Sequence, residues 1–180
     1  MIDEEGVEAL TLASLAQKLE IRPPSLYNHI AGLPDIRRLL SLHGLEELRS
    51  ALLHAAAGRA GEDAIRAMAN AYLGFARAHP GLYEMTLLPP GPEDAERARA
   101  ARDIVDLVVR ALEAYRLDPA ASIHAARALR SLLHGFASLE KQGGFGLPFD
   151  RDQSFEEMVG LYLAGLQARF GGLENPPKLN

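Results

Sequence analysis

Apolar residues recur at helical spacing along nearly the whole chain. One stripe runs through Ile65, Met68, Tyr72 and Phe75, with the three- and four-residue steps that place side chains on one face of an α-helix. A second stripe covers 101–115 with the same spacing. No run alternates apolar and polar positions beside a hairpin turn pair, as a half-buried strand would. The pattern therefore predicts an all-α fold.

Glycine and proline interrupt this pattern and divide it into about nine helical segments. The clearest segments are predicted at residues 2–5, 12–19, 23–29, 34–57, 120–141 and 153–170. Because short helices stand in front and long ones behind, we expect a small module over 1–58 attached to a helical bundle over 59–172. The last residues, 173–180, lack periodicity and are expected to form a tail.

Composition and charge exclude several classes of protein. The chain has 180 residues, 48% of them hydrophobic, a net charge of −5 and no cysteine. Disulfides, zinc–thiolate sites and cysteine nucleophiles are therefore excluded. No apolar run is long enough for a membrane span and the first residues are acidic, so a cytoplasmic protein without a membrane partner is expected. The negative charge argues against a protein that coats nucleic acid.

The region 11–30 has the pattern of two short helices joined by a tight turn. Thr11 is a good N-cap for the first helix, whose stripe includes Leu15 and the small residue Ala16. Ile21 is the apolar residue of the turn. Pro23 and Pro24 suit the first turn of the second helix, where the backbone amides lack intrahelical partners.

The second of these helices combines an apolar and a polar face. Leu26 and Ile30, four residues apart, are expected to face inward. The side chains expected to point outward are Ser25, Tyr27, Asn28 and His29. The segment therefore predicts a helix-turn-helix with a polar recognition face.

These residues resemble the DNA-binding domain of TetR-type transcriptional regulators. The resemblance is carried by Gly6, Val7, Thr11, Leu15, Ala16, Ile21, Ser25, Leu26, Tyr27, His29 and Ile36. The strings HPGLYEMTL at 79–87 and SLLHGFASLE at 131–140 are similar to the C-terminal ligand-binding domain of one branch of that family. The resemblance implies DNA binding by 1–58 and ligand binding and dimerisation by 59–172.

The resemblance also implies roles for individual residues on DNA. Thr11, Tyr27 and His29 would contact phosphates, and Arg37 and Arg38 would meet the DNA backbone beside the fourth helix. The positions near base edges are Arg22, Pro24, Ser25 and Asn28, of which Asn28 could make paired hydrogen bonds to adenine.

Three departures from the family pattern concern the same module. Glu20 stands in the turn where the family usually has glycine. Pro34 and Asp35 stand where a lysine often begins the fourth helix. The predicted first helix has only residues 2–5 before Gly6, so we expect it to be shortened.

The resemblance and the apolar stripes together predict a dimer interface on the last two long helices. Its expected residues are Leu132, Phe136, Leu139, Phe155, Val159, Tyr162, Leu163 and Leu166. The alternative is that the loop at 143–150 covers this face. An effector pocket is expected to be lined by Met68, Tyr72, Phe75, Met85, Ile104, Val108, Ser131 and His134, for each of which plain core packing is the alternative.

Nothing in the sequence indicates catalysis, a metal or a cofactor. None of the six histidines stands three or four residues from another, and no Gly-x-Ser-x-Gly or phosphate-loop motif is present. Two hypotheses remain. The first is a ligand-responsive repressor that binds a palindromic operator as a homodimer and leaves it when a small, largely apolar effector binds. The second is a dimeric helical ligand-binding protein without DNA binding that acts through protein partners; the net charge of −3 over 1–58 keeps it open.

Overall fold

The computed structural model describes residues 1–171, and within this range the secondary structure is helical throughout. Nine α-helices form there: α1 Ile2–Glu5, α2 Leu12–Lys18, α3 Pro23–Leu26, α4 Leu33–Ala56, α5 Gly61–Ala78, α6 Pro80–Thr86, α7 Ala95–Leu112, α8 Pro119–Lys141 and α9 Arg151–Phe170. Two short 3₁₀ turns, Val7–Ala9 and Glu113–Tyr115, complete the order. The predicted all-α fold is confirmed; the predicted tail at 173–180 lies outside the described residues.

The starts of three helices, α2, α8 and α9, are capped by side chains that can be identified in the sequence. Thr11 and Ser14 form a reciprocal capping box at α2, because each hydroxyl accepts a hydrogen bond of 3.0 Å from the other residue's backbone amide. Asp118 and Asp150 cap α8 and α9 by accepting from amides three residues ahead, at 2.8 and 3.0 Å. The N-cap role predicted for Thr11 is confirmed.

The recognition helix is shorter than its sequence predicts. The pattern predicts a helix over 23–29, whereas α3 ends at Leu26 and turns continue to His29. The amides of His29 and Ile30 both donate to the Leu26 carbonyl, at 2.9 and 3.0 Å, and so close the segment as a turn. The Gly32 that follows has a φ of +143°, which ends any helical continuation before α4.

The chain divides into two compact units whose boundaries differ from the predicted domains. The first unit contains Met1–Ala51 and Gly74–Ile104; the second contains Leu52–Leu73 and the chain from Val105 onward. The helices α4, α5 and α7 each contribute residues to both units. The domain boundary at residue 58 stays a prediction.

In the first unit, α1 lies directly against the start of α6. One carboxylate oxygen of Asp3 accepts hydrogen bonds from the backbone amides of Gly81 (2.8 Å) and Leu82 (2.9 Å), and the other lies 3.4 Å from Nδ1 of His79. A Cβ at Gly81 would overlap the backbone carbonyl of Ile2. Glycine is therefore required there by close backbone approach, which gives a physical reason for the string His-Pro-Gly-Leu-Tyr.

The same unit contains a buried guanidinium at the start of α7. Arg97 is 7% exposed, and its Nη2 donates to the backbone carbonyls of Leu88 (2.7 Å) and Pro89 (3.2 Å). Its Nε donates to the hydroxyl of the fully buried Ser41 on α4 at 3.1 Å. Asp94 supplies the countercharge at 3.4 Å. This network joins three parts of the unit: α4, α7 and the segment that follows α6.

The second unit has an apolar core in which an aromatic ring of α8 meets one of α9 edge to face. The ring of Phe155 lies 5.1 Å from that of Phe136, which also contacts Phe145 of the connecting loop at 4.8 Å. The hydroxyl of Tyr162 donates to the Ala125 carbonyl at 2.9 Å. Burial raises the pKa of Tyr162, so the phenol stays a neutral donor.

Polar contacts also fasten α9 to α5 in this unit. Glu156 accepts from the side-chain amide of Asn70 at 2.8 Å and lies 3.7 Å from Arg66, which is itself 2.8 Å from Glu62.

In the portion of the chain from residue 1 to 171, none of the helices combines the length and apolarity that a membrane crossing requires.

The close approach at Gly81 predicts opposite effects of two glycine-to-alanine substitutions. Gly81→Ala should lower the free energy of unfolding by about 1–3 kcal/mol, because the new methyl group meets the α1 backbone. Gly74→Ala in the interior of α5 meets nothing within 4 Å and should raise it by about 0.5–1 kcal/mol. Urea unfolding of both variants checks this; equal effects would mean that α1 does not pack on α6 in solution.

Candidate nucleic-acid interface

The helices α2 and α3 pack together with small and apolar residues between them. Ala16 and Leu26 are buried, at 1% and 5% exposure. The turn is closed by the amide of Ile21, which donates to the Ala16 carbonyl at 3.0 Å. Ile21 itself remains 40% exposed, so it fills the angle between the helices only in part. The predicted helix-turn-helix is present.

All the predicted contact residues of this motif lie on the exposed side. Tyr27 is 60% exposed, although its neighbour Leu26 is buried. The other exposed residues of the set are Thr11, Arg22, Pro24, Ser25, Asn28 and His29. Since none of these side chains is buried in the core, they are accessible to a partner on the α2–α3 surface.

Glu20 occupies a backbone conformation that disfavours its side chain. Its φ is +56°, in the left-handed region that glycine adopts without steric cost. This explains in physical terms why a glycine suits the position. The exposed carboxylate also stands two residues before Arg22, on a surface expected to approach phosphates.

Arg37 and Arg38, near the start of α4, do not project freely from the surface. The Arg38 guanidinium lies within 3.7 Å of carboxylates of Asp35, Asp94 and Glu96. The hydrogen bond to Glu96 is the largest cause that raises the pKa of Arg38. Arg37 is half-buried, and its Nε is buried without a hydrogen-bond partner. The expected backbone contact of Arg38 would have to replace these ion pairs.

The residues predicted for a dimer interface divide into two groups. Those already buried within the protomer are Phe136, Phe155, Val159, Leu163 and Leu166, and they have little surface left to give to a partner. Packing within the protomer accounts for the width of the stripe, and a part of these residues in a dimer stays a prediction. Leu132 and Leu139 are exposed and Tyr162 is half-buried, so they stay candidates.

The face formed by α8, α9 and their connection carries exposed apolar side chains that the sequence prediction missed. They include Leu147, Phe149 and Leu161, each about three-quarters exposed. A groove of about 680 Å³ lies there, lined by Leu132, Phe149, Asp150, Gln153, Ser154, Glu157, Met158, Leu161 and Tyr162. The 143–150 loop covers part of this face, since Phe145 packs on Phe136 while Phe149 remains exposed.

The predicted effector residues differ in burial. Met68 and Tyr72 are buried in the second unit, and Phe75 and Met85 are buried in the first. Ile104, Val108 and His134 are half-buried, and the His134 ring lies 3.4 Å from the Ser138 hydroxyl. Ser131 is exposed, which argues against a place in a pocket lining. The pocket stays a prediction.

Three structurally important residues are not singled out by sequence reasoning. From the sequence, Asp3 contributes only to the net charge of residues 1–58, and Gly81 is noted only as part of the string at 79–87. No role is predicted for Arg97. The signal available for Gly81 is its place directly after proline at a helix start. Arg97 carries no such signal, because an arginine near the start of a helix is usually solvated.

An exposed polar recognition face on a buried α2–α3 scaffold defines a helix-turn-helix DNA-binding protein. The C-terminal-domain model of the tetracyclin repressor-like family matches residues 65–162, which is more than half of the chain. The HTH-type transcriptional regulator Rv0681 of Mycobacterium tuberculosis is 38% identical over 93% of this chain and 77% of its own length. The HTH-type transcriptional regulator YobS of Bacillus subtilis is 40% identical over 91% of this chain and 85% of its own.

A solved structure agrees in fold at lower sequence identity. A single-substitution variant of TetR from Acinetobacter baumannii, determined in complex with minocycline, superimposes with a TM-score of 0.70 at 19% identity, covering 94% of this chain and 91% of that one. The chain belongs to the TetR family of HTH-type transcriptional regulators. The family resemblance expected from the sequence is confirmed.

The left-handed turn predicts that Glu20→Gly improves both stability and DNA binding. The substitution removes a strained conformation and should raise the free energy of unfolding by about 1 kcal/mol. Glu20→Gln is the matched control, because it removes the charge but keeps the strain. Both should bind DNA more tightly than the parent in a fluorescence-anisotropy titration, and only Glu20→Gly should be more stable in urea. Equal stability of the two variants would contradict the prediction.

Proposed function

We propose that this regulator is a repressor that binds a palindromic operator as a homodimer and releases it when a small, largely apolar effector binds. One observation carries the DNA-binding part of the proposal. The predicted contact residues of α2 and α3 are all exposed, whereas Ala16 and Leu26 beneath them are buried. The motif therefore presents polar chemistry outward on a fixed scaffold.

Within this face, different residues take different roles. Asn28 would make paired hydrogen bonds to adenine, and Arg22 would bind guanine or a phosphate. Pro24 and Ser25 would lie against base edges, since they open the recognition helix. Thr11, Tyr27 and His29 would contact phosphates, which set the register of the motif on the duplex without reading sequence. Arg37 remains a candidate backbone contact.

Homodimerisation is supported by the apolar face of α8 and α9. Leu132, Leu139 and Leu161 are exposed there, together with the apolar groove beside Phe149. A contiguous exposed apolar surface of this kind favours association. A two-fold dimer would place two recognition helices about 34–36 Å apart, which suits half-sites one helical turn apart in an inverted repeat. In this proposal the segment 59–172 carries ligand binding and dimerisation.

An apolar effector is supported by the residues of α5 and α6. Met68, Tyr72, Phe75 and Met85 are buried apolar side chains with the chemistry of a ligand lining. The minocycline complex of the Acinetobacter TetR variant gives a precedent for a ligand on this fold. The effector would bind more tightly to the conformation that does not fit the operator than to the one that does. Effector binding would therefore lower the affinity of the protein for its operator.

The proposal needs no catalysis, metal or cofactor. Recognition of DNA and of an effector both rest on noncovalent contacts, and the relatives are named as transcriptional regulators. Because its target is chromosomal DNA, the protein would work in the cytoplasm. A ligand-binding protein without DNA binding is the alternative, and the net charge of −3 over residues 1–58 is the observation that favours it.

Operator recognition is tested by selection from a library of random-sequence duplexes. We expect the protein to select an inverted repeat with salt-sensitive binding. Asn28→Ala should weaken binding to the selected duplex by about 1–3 kcal/mol and relax one position of each half-site. Gln142→Ala, an exposed amide in the second unit, is the control and should change neither property. Failure to enrich any sequence would refute the repressor proposal and leave the alternative.

Dimerisation is tested by sedimentation at micromolar concentration. The parent protein should sediment as a dimer, and Leu161→Glu should sediment as a monomer because it places a carboxylate on the apolar face. Leu53→Glu replaces an exposed leucine of α4 and should remain dimeric. A monomeric parent, or a Leu161→Glu variant that dimerises as well as the parent, would contradict this assignment.

A further inference from the structure

Arg38 lies among carboxylates that come from two places in the chain. Its Nη1 is 3.3 Å from Oε2 of Glu96 and 3.7 Å from Oδ1 of Asp94, and its Nε is 3.6 Å from Oδ1 of Asp35. Asp35 precedes it on α4, whereas Asp94 and Glu96 stand on either side of the first residue of α7. Three anionic groups therefore surround one cation on the helix that follows the recognition motif.

One of these carboxylates, that of Asp94, is held in position by the buried guanidinium of Arg97. Oδ1 of Asp94 accepts from the backbone amide of Arg97 at 3.2 Å, and Oδ2 accepts from its Nη1 at 3.4 Å. Arg97 is in turn fixed by Ser41 and by the carbonyls of Leu88 and Pro89. Because its partner network is anchored in the core, Asp94 cannot simply swing away from Arg38.

An arginine in this setting binds a phosphate only by exchanging one anion for another. Each lysine or arginine that neutralises a DNA phosphate releases a condensed counterion and contributes to affinity. If Arg38 must first leave Glu96 and Asp94, that contribution is reduced. An arginine near the start of α4 can therefore add little to DNA binding although it is positively charged.

We propose that Glu96 and Asp94 at the start of α7 compete with DNA phosphates for Arg38 and thereby lower the DNA affinity of the regulator. The competition is an affinity-setting device built between α4 and α7. A displacement of the α7 start would change the availability of Arg38 without any change in the recognition face. This inference rests on the proposed function only in that α4 approaches the duplex together with α2 and α3.

The test is a double-mutant cycle of Arg38→Gln and Glu96→Gln on the full chain. The probe is a fluorescein-labelled duplex of arbitrary sequence, titrated by anisotropy between about 50 and 200 mM salt. Glu93→Gln is the matched control, because it removes the same charge from an exposed position three residues away. Thermal unfolding of each variant checks that the fold is retained. Arg38→Gln keeps a polar side chain and so limits disruption of the local packing.

The proposal predicts a distinct pattern across the cycle. Glu96→Gln should bind about three- to tenfold more tightly than Glu93→Gln, and its salt dependence should steepen by about one unit of slope. Arg38→Gln alone should change affinity by less than about twofold, since the parent does not use Arg38 fully. Adding Arg38→Gln to Glu96→Gln should remove the gain in affinity and in slope.

Several results would overturn the inference. One is a large loss of affinity and slope in Arg38→Gln alone, because Arg38 would then bind phosphate despite its carboxylates. A second is an equal gain in Glu96→Gln and Glu93→Gln, which would indicate a general charge effect. A third is a gain that survives removal of Arg38. Binding without sequence selection would refute only the repressor proposal, whereas no binding by any variant would refute both.

Discussion

The first unit depends on burying the guanidinium of Arg97 with every side of it satisfied. Removing one partner of a buried ion pair typically costs about 3–5 kcal/mol, because a charge is left without compensation. Here the compensation comes from Asp94, from the Ser41 hydroxyl on α4 and from two backbone carbonyls that follow α6. The position of α4 relative to α7 is therefore fixed by Arg97, because few other arrangements would compensate its buried charge.

A second constraint ties α1 to α6 within the same unit. Asp3 caps the first amides of α6, and Gly81 leaves room for the backbone of Ile2. The segment 79–87 resembles part of a ligand-binding domain in sequence, yet it belongs to the compact unit that contains the helix-turn-helix. Of the residues expected to line an effector pocket, Phe75 and Met85 lie in this unit, whereas Met68 and Tyr72 lie in the other.

The sequence was sufficient for the fold class, most helix bounds and the exposed recognition face. Each of these follows from local rules: the three- and four-residue spacing of apolar residues, the cap at Thr11, and proline at the start of α3 and α8. The family resemblance added the identity of the contact residues, and their exposure agrees with it. The resemblance also marked Glu20 as unusual, because a glycine usually stands at that position in the family.

Long-range contacts explain what could not be predicted. The ion pairs of Arg38 could not be predicted, because its partners at 94 and 96 are far along the chain. The burial of Phe155 and Leu163 within the protomer could not be predicted, because a wide apolar stripe does not reveal whether it packs within or between chains. The end of α3 at Leu26 depends on a turn whose hydrogen bonds compete closely with another helical turn. Such choices are made by packing and by partner geometry, which periodicity does not encode.

The central claim is that the α2–α3 face, residues 11–29, is the surface that meets DNA. Hydrogen–deuterium exchange of the whole chain, with and without a saturating duplex, tests it most directly. We expect slower amide exchange in peptides covering 11–29 and in the first turns of α4, with α8 and α9 unchanged. Protection confined to α8 and α9, with 11–29 exchanging as in the free protein, would contradict it.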